Sequence, residues 1–141
     1  MPIQWTKNLR LGIPELDAQH LELDGFLALV HDAICEGRVP DVPAVLEGVR
    51  SCSSRHFACE EAHMAGLGYP ALEEHRARHR EFTEQLARFE EASMREGATT
   101  RLAIEIGNSL ARWVREHQRY DLQFAAHVRE TNRMAPGEME P

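Results

Sequence analysis

The sequence predicts an all-α fold, an up-down-up-down four-helix bundle preceded by an N-terminal extended arm. Three observations predict it. Four stretches carry apolar residues at the 3.6-residue period of an amphipathic helix, Gly and Pro punctuate the chain between them, and no stretch shows the alternation of a strand. Short connections make antiparallel neighbours of consecutive helices. The 141 residues suit one domain large enough to bury a real core. Residues 1–130 are read as that domain, with 1–13 as its arm, and 131–141 as a short C-terminal tail.

In the arm, Ile3 and Trp5 are expected to anchor onto the bundle. Pro14 and Asp17 suit a helix start, and Leu23, Phe26, Leu27, Val30 and Ile34 keep the helical period until Gly37 and Pro40 end it. His20 shares that inward stripe. Asp41 and Pro43 supply an N-cap and first-turn pair for a second helix running to about Ala65, with Val45, Val49, Cys52, His56, Cys59, Glu60 and His63 along its stripe. Gly66, Gly68 and Pro70 then turn the chain, with Met64 and Tyr69 packing the turn. A third helix carries Leu72, His75, His79, Phe82, Leu86 and Phe89 and ends near Gly97. Thr99 or Thr100 opens a fourth, whose inner side holds Leu102, Ile106, Leu110, Trp113, Val114, His117, Asp121 and Phe124. The tail, with Pro136 and Gly137, is expected to fray and is too short for an output domain.

Composition excludes several classes. The hydrophobic fraction of 43% and charged fraction of 28% are those of a soluble globular protein. A formal charge of −7 argues against a nucleic-acid surface. No apolar run approaches the roughly 20 residues that cross a bilayer, and MPIQWTKNLRLGIPELD has no secretory h-region. Cys35, Cys52 and Cys59 form no Cys-x-x-Cys pair, which fits a reducing cytoplasm. The anomaly is eight histidines in so small a chain.

Three pairs of potential ligands are spaced by four: His56 with Glu60, His75 with His79, and His117 with Asp121. On a helix that spacing stacks two side chains on one face, roughly 5–6 Å apart at Cβ. An inward stripe should be apolar, because a buried imidazole or carboxylate costs several kcal/mol unless paired or bound. With His20, these pairs place five histidines and two carboxylates at matched depths of four helices, and a metal site explains them better than a structural network. Imidazole with carboxylate suits iron, manganese, zinc or copper. The set is too large for one tetrahedral zinc but suits two octahedral ions. With each carboxylate and one solvent-derived oxygen bridging, a single coordination position is left vacant, where a small gas would bind. His31 lies roughly 16 Å along the first helix from His20, too far to serve the same site.

The segments LGIPELDAQH, HFACEEAHM, GYP, HRARH and WVREH closely resemble the hemerythrins, above all the single-domain bacteriohemerythrins, over residues 5 to about 125. The resemblance implies reversible O2 binding at a non-haem di-iron centre (Fe2+/Fe3+) with a bridging oxo or hydroxo group. It implies that His75, His79 and His117 hold one iron, that His20 and His56 hold the other, and that Glu60 and Asp121 bridge them. O2 would be held as hydroperoxide on the iron with two histidines. Five neutral imidazoles stabilise high-valent iron less than the carboxylate-rich sets of ferritin-like oxidases, which favours binding over O–O cleavage. Trp113, Val114, Gln118, Phe57 and Phe82 are the candidate walls of the O2 pocket.

One motif departs from the family. HQRYD places Asp121 four residues after His117, where the family has five (His-Ile-x-x-x-Asp). Four is sound on a regular helix, whereas five favours a local π-type widening. If Asp121 does not bridge, more positions on the irons are open. Gln118 stands where the family has an apolar residue; the shortened turn either swings it away or lets its amide reach the bound oxygen. His63, His31 and His127 are read as surface or bundle-end residues. Cys52 and Cys59 flank His56, so a mixed Cys/His zinc site is the lesser alternative; buried cysteines mostly behave as small apolar fillers.

The resulting expectation is a cytoplasmic oxygen carrier or store, not an enzyme, with O2 as its ligand. An oxygen-consuming enzyme or a reductase is the expected protein partner, and a monomer the expected state. The rivals are a di-iron enzyme on the same scaffold, reducing peroxide or nitric oxide or oxidising ferrous iron, and a redox or oxygen sensor working through Cys35, Cys52 or Cys59.

Overall fold

A computed structural model describes residues 12–134, so Ile3, Trp5 and residues 135–141 lie outside the described residues. Four helices follow in order: α1 Pro14–Cys35, α2 Val42–Gly66, α3 Leu72–Glu96 and α4 Thr100–Met134. No strand occurs among the described residues. α1 packs on α2 and α4, and α3 packs on α2 and α4. With the short connections 36–41, 67–71 and 97–99, this is the expected four-helix bundle.

The boundaries follow local chemistry. Pro14 starts α1, where its missing N–H leaves no helical bond unmade. The Asp41 carboxylate accepts the Ala44 N–H at 3.2 Å and caps α2. Thr99, not Thr100, caps α4: its hydroxyl oxygen accepts the Leu102 N–H at 3.1 Å. Between α2 and α3, Gly68 takes φ +64°, a left-handed conformation that L side chains rarely adopt, and the Tyr69 N–H returns to the Met64 carbonyl at 2.9 Å. α4 is α-helical without interruption to Met134.

The core is split. The larger apolar cluster holds Leu23, Leu27 and Val30 of α1, Val42 to Phe57 of α2, Phe82 to Phe89 of α3 and Leu102 to Val114 of α4. A smaller one holds Leu16, Met64, Phe124, Ala125 and Val128, with Tyr69 and Leu72 packed against it. On α1, α3 and α4 the candidate ligands fall between the two, and on α2 His56 and Glu60 flank Phe57 at the edge of the larger cluster. His20 lies between Leu16 and Leu23, His75 and His79 between Leu72 and Phe82, and His117 and Asp121 between Val114 and Phe124. A polar layer thus crosses the bundle with an apolar plug on either side. Helix α1 lies close to α2 at Gly48, where a β-carbon would come within 2.3 Å of the Phe26 ring edge.

Candidate metal centre

All seven predicted ligands are buried: His20, His56, Glu60, His75, His79, His117 and Asp121. They sort into two groups joined by Glu60, which is itself fully buried. Glu60 Oε1 lies 3.1 Å from His79 Nε2 and 3.4 Å from His75 Nε2. Its other oxygen, Oε2, lies 3.5 Å from His56 Nε2 and 4.0 Å from His20 Nε2. Ligand atoms of Glu60, His75, His79 and His117 all fall within 4.8 Å of one another, as do those of His20, His56 and Glu60. Asp121 Oδ1 sits on the three-histidine side, 3.3 Å from His75 Nε2 and 3.2 Å from His117 Nε2. The four-residue spacing therefore aims both members of the last pair inward from a regular helix.

The outer ring nitrogens explain how two of the histidines are held. His79 Nδ1–H donates to Glu61 Oε2 at 2.6 Å, and His56 Nδ1–H donates to Gln19 Oε1 at 2.9 Å. An acceptor at Nδ1 fixes the proton there and leaves Nε2 as a lone pair aimed at the centre. The sequence reading missed both partners. Each is one residue from a ligand in sequence, Glu61 after Glu60 and Gln19 before His20, so each points about a quarter turn away from the inward stripe. Only the packing of α1 on α2 and of α2 on α3 brings them to a ring. A groove of about 630 Å³ between α2 and α3, lined by Glu61, Arg76 and His79 among others, brings solvent to the Glu61 side of this pair.

The electrostatics are those of a site built for positive charge. Burial works to raise the Glu60 carboxyl, but His56, His75 and His79 hold it well below the usual carboxylate range. Burial and Glu60 also oppose the Asp121 charge, yet His117 and His75 keep that carboxyl below its ordinary value. Burial and neighbouring His56 push His20 down to about 4. His75 goes the other way: burial disfavours its charged ring, but Asp121 and Glu60 raise it to about 9.

The donor set fits a pair of cations. With the ring proton held at Nδ1, Nε2 of His79 and of His56 meets a carboxylate oxygen as acceptor against acceptor, and the contact needs a positive charge between them, a proton or a metal ion. Glu60 Oε2 and both ring nitrogens of His117 are buried without a hydrogen bond among the described residues. No thiol joins either group. Cys52 S–H donates to the Gln19 carbonyl and Cys59 S–H to Glu15, so the mixed Cys/His site at His56 does not form.

Aromatic rings close the layer on one side. Phe57 stacks on His79 with centroids 3.9 Å apart, and Trp113 stacks on His117 at 4.4 Å. Phe82 meets Phe57 edge-on at 5.5 Å and Trp113 at 4.7 Å, and Val114 is buried beside them. These contacts favour the three-histidine side; Phe57 alone also reaches His56, at 6.0 Å. The Gln118 side chain lies outside the described residues. His63 is half-exposed near Glu15, His31 lies beside Asp32 and Cys35, and His127 packs on Tyr69.

A family model for the hemerythrin HHE cation binding domain matches residues 11–133. The chain belongs to the hemerythrin family. It is 30% identical over 122 residues to a bacteriohemerythrin of Stenotrophomonas maltophilia (strain R551-3), covering 86% of this chain and 78% of that one. It is also 30% identical over 117 residues to a bacteriohemerythrin of Pseudomonas paraeruginosa (strain DSM 24068 / PA7), covering 83% of this chain and 74% of the relative. A hemerythrin domain implies non-haem iron, and the buried histidine–carboxylate layer fits such a centre. No helix among the described residues is long and apolar enough to cross a membrane.

Proposed function

We propose that this hemerythrin-family chain binds O2 reversibly at a di-iron centre and serves as a cytoplasmic oxygen carrier or store without net chemistry. The observation that carries the reading is the division of Glu60. One of its oxygens faces His75 and His79 and the other faces His56 and His20, so a single buried carboxylate spans two sites. In this reading His75, His79 and His117 would hold one ion, His20 and His56 the other, and Glu60 and Asp121 would supply carboxylate oxygens to the pair. When bound, the iron pair supplies the two electrons that reversible O2 binding draws on.

The chain's own residues do the rest. Glu61 and Gln19 orient His79 and His56. Phe57, Phe82, Trp113 and Val114 keep water, and with it protons, away from one side of the layer. Two carboxylates balance part of the ions' charge, and the five imidazoles add none, which favours release of O2 over its cleavage. The protein partner would be an oxygen-consuming enzyme that receives O2 or a reductase that restores the ferrous state.

One observation favours a second reading, an enzyme reducing peroxide or nitric oxide. Among the described residues the close contacts of Asp121 Oδ1 are with His75 and His117 of one group, and a centre joined by Glu60 alone would have more exchangeable positions. An anaerobic iron assay followed by visible spectra, as O2 is admitted and pumped away, separates the two. Two irons per chain and a colour that appears and vanishes with O2 support the carrier. Irreversible conversion to the ferric form, with turnover when a reductant is added, supports the enzyme. One iron or none overturns the di-iron assignment.

A further inference from the structure

We propose that Glu15, Cys59 and His63 form a separate, solvent-facing site for one borderline or soft divalent cation, with zinc as the reference ion. Cys59 and His63 are four apart on α2, so they stand on one face on consecutive turns. Glu15 enters from the first turn of α1. One ligand atom from each lies within 4.8 Å of the others. Cys59 Sγ is 2.8 Å from Glu15 Oε1, and His63 Nε2 is 3.6 Å from the same oxygen.

Those separations suit the geometry of a tetrahedral ion. Bond lengths of about 2.3 Å to sulfur and about 2.0–2.2 Å to nitrogen or oxygen put ligand atoms roughly 3.4–3.6 Å apart. The histidine–carboxylate distance already has that value. The thiol–carboxylate distance has to open by under about 1 Å, which an exposed glutamate at a helix start can supply. The donor types agree as well: one thiolate, one imidazole and one carboxylate suit zinc or a softer ion such as cadmium. The fourth position faces solvent, since Glu15 is 64% and His63 39% exposed. Cys59 itself is half-buried against the smaller apolar cluster, where a thiolate–cation bond is less screened than in open water. Binding would release the thiol proton to solvent and tie the first turn of α1 to α2.

The other two cysteines lack such a constellation. Cys52 is buried and bonded to the Gln19 carbonyl, and Cys35, whose sulfur meets His31, joins no such group among the described residues. The proposal is independent of the O2 reading, because iron content and O2 response are measured separately from it.

The test uses the full iron-loaded chain carrying Cys35→Ser, which removes the exposed thiol. Cadmium is titrated while its thiolate absorption in the ultraviolet is recorded, and iron is assayed before and after. The expected result is one cadmium per chain with a thiolate band, unchanged iron, and competition by zinc. Cys59→Ser should abolish the band. Removing even an outer partner of a metal ligand costs about 10–100-fold in affinity, so Glu15→Gln and His63→Gln should each weaken binding by at least about tenfold. Glu15 is exposed and His63 half-exposed, and these variants decide the matter if Cys59→Ser does not fold. The proposal is overturned by the absence of a band, by a band that survives Cys59→Ser, by full affinity in both glutamine variants, or by iron lost in step with cadmium taken up.

Discussion

Glu61→Gln should weaken metal retention without unfolding the bundle. The Glu61 carboxylate accepts from His79 Nδ1 at 2.6 Å and also takes the Arg76 Nε–H at 3.4 Å. A hydrogen bond to a charged group contributes about 1.5–3 kcal/mol. The Glu61 side chain is 25% exposed, so water screens part of this and the lower end applies. At about 1.4 kcal/mol per tenfold, losing the bond outright costs roughly 10–30-fold in affinity, and glutamine, which loses only the charge, costs less. Glutamine keeps an acceptor of the same reach, whereas Glu61→Ala leaves the ring N–H without one and should cost more. The assay is metal retention against a chelator, with melting of the metal-free forms alongside. Wild-type retention in both variants would refute the idea that Glu61 orients His79. So would an equal loss in Arg76→Gln, because the effect would then belong to the ion pair.

Three further outcomes follow from the fold and the charges. Asp41→Ala removes the α2 cap and should cost about 0.5–2 kcal/mol in denaturant unfolding while leaving metal content intact, since Asp41 is far along α2 from His56. Leu46→Ala, in the larger apolar cluster, should cost about 2–5 kcal/mol, again without metal loss; a smaller cost would mean the cluster collapses around the gap. The metal-free protein should melt highest near neutral pH. His20 sits at about 4 in the fold against 6.5 ordinarily, so the unfolded chain takes up the proton first and stability falls as pH drops from about 6.5 towards 4. His75 sits at about 9, so its contribution is complete below about 6.5 and is lost as pH rises through 9. Melting temperatures of chelated protein from pH 4 to 10 check both limbs, and a steady rise with pH would contradict the His75 assignment.

Much of the fold was legible because punctuation and periodicity agree. Pro14, the Asp41–Pro43 pair, the Gly66–Pro70 turn and the Gly97–Thr99 break mark helix ends within a residue or so of where they fall. The end of α4 was less legible. No breaker stands at Thr131, and α4 runs on to Met134, two residues short of Pro136. The buried polar positions, the candidate ligands, were readable because a polar residue on an inward stripe at a spacing of four is conspicuous. Gln19 and Glu61 were not, since nothing in a single helix distinguishes a side chain that meets a ring on the next helix from one in water. Cys59 shows the same limit. It shares the stripe of His56 by spacing, yet it lies at the stripe's edge, where the packing of α1 directs its sulfur to Glu15 and away from the buried layer.

The two carboxylates of the layer are not equivalent, and the helices they stand on explain why. Glu60 has the longer side chain and enters from α2, which packs on both α1 and α3, the sources of His20 and of His75 and His79. It can therefore turn one oxygen towards each group. Asp121 is shorter and enters from α4, one turn beyond His117, and Oδ1 is held between His117 and His75. Its influence on His20 is a charge–charge interaction rather than a hydrogen bond. Five residues after His117 instead of four would rotate the carboxylate by about 100° around the helix. The spacing in HQRYD thus sets which way Asp121 leans.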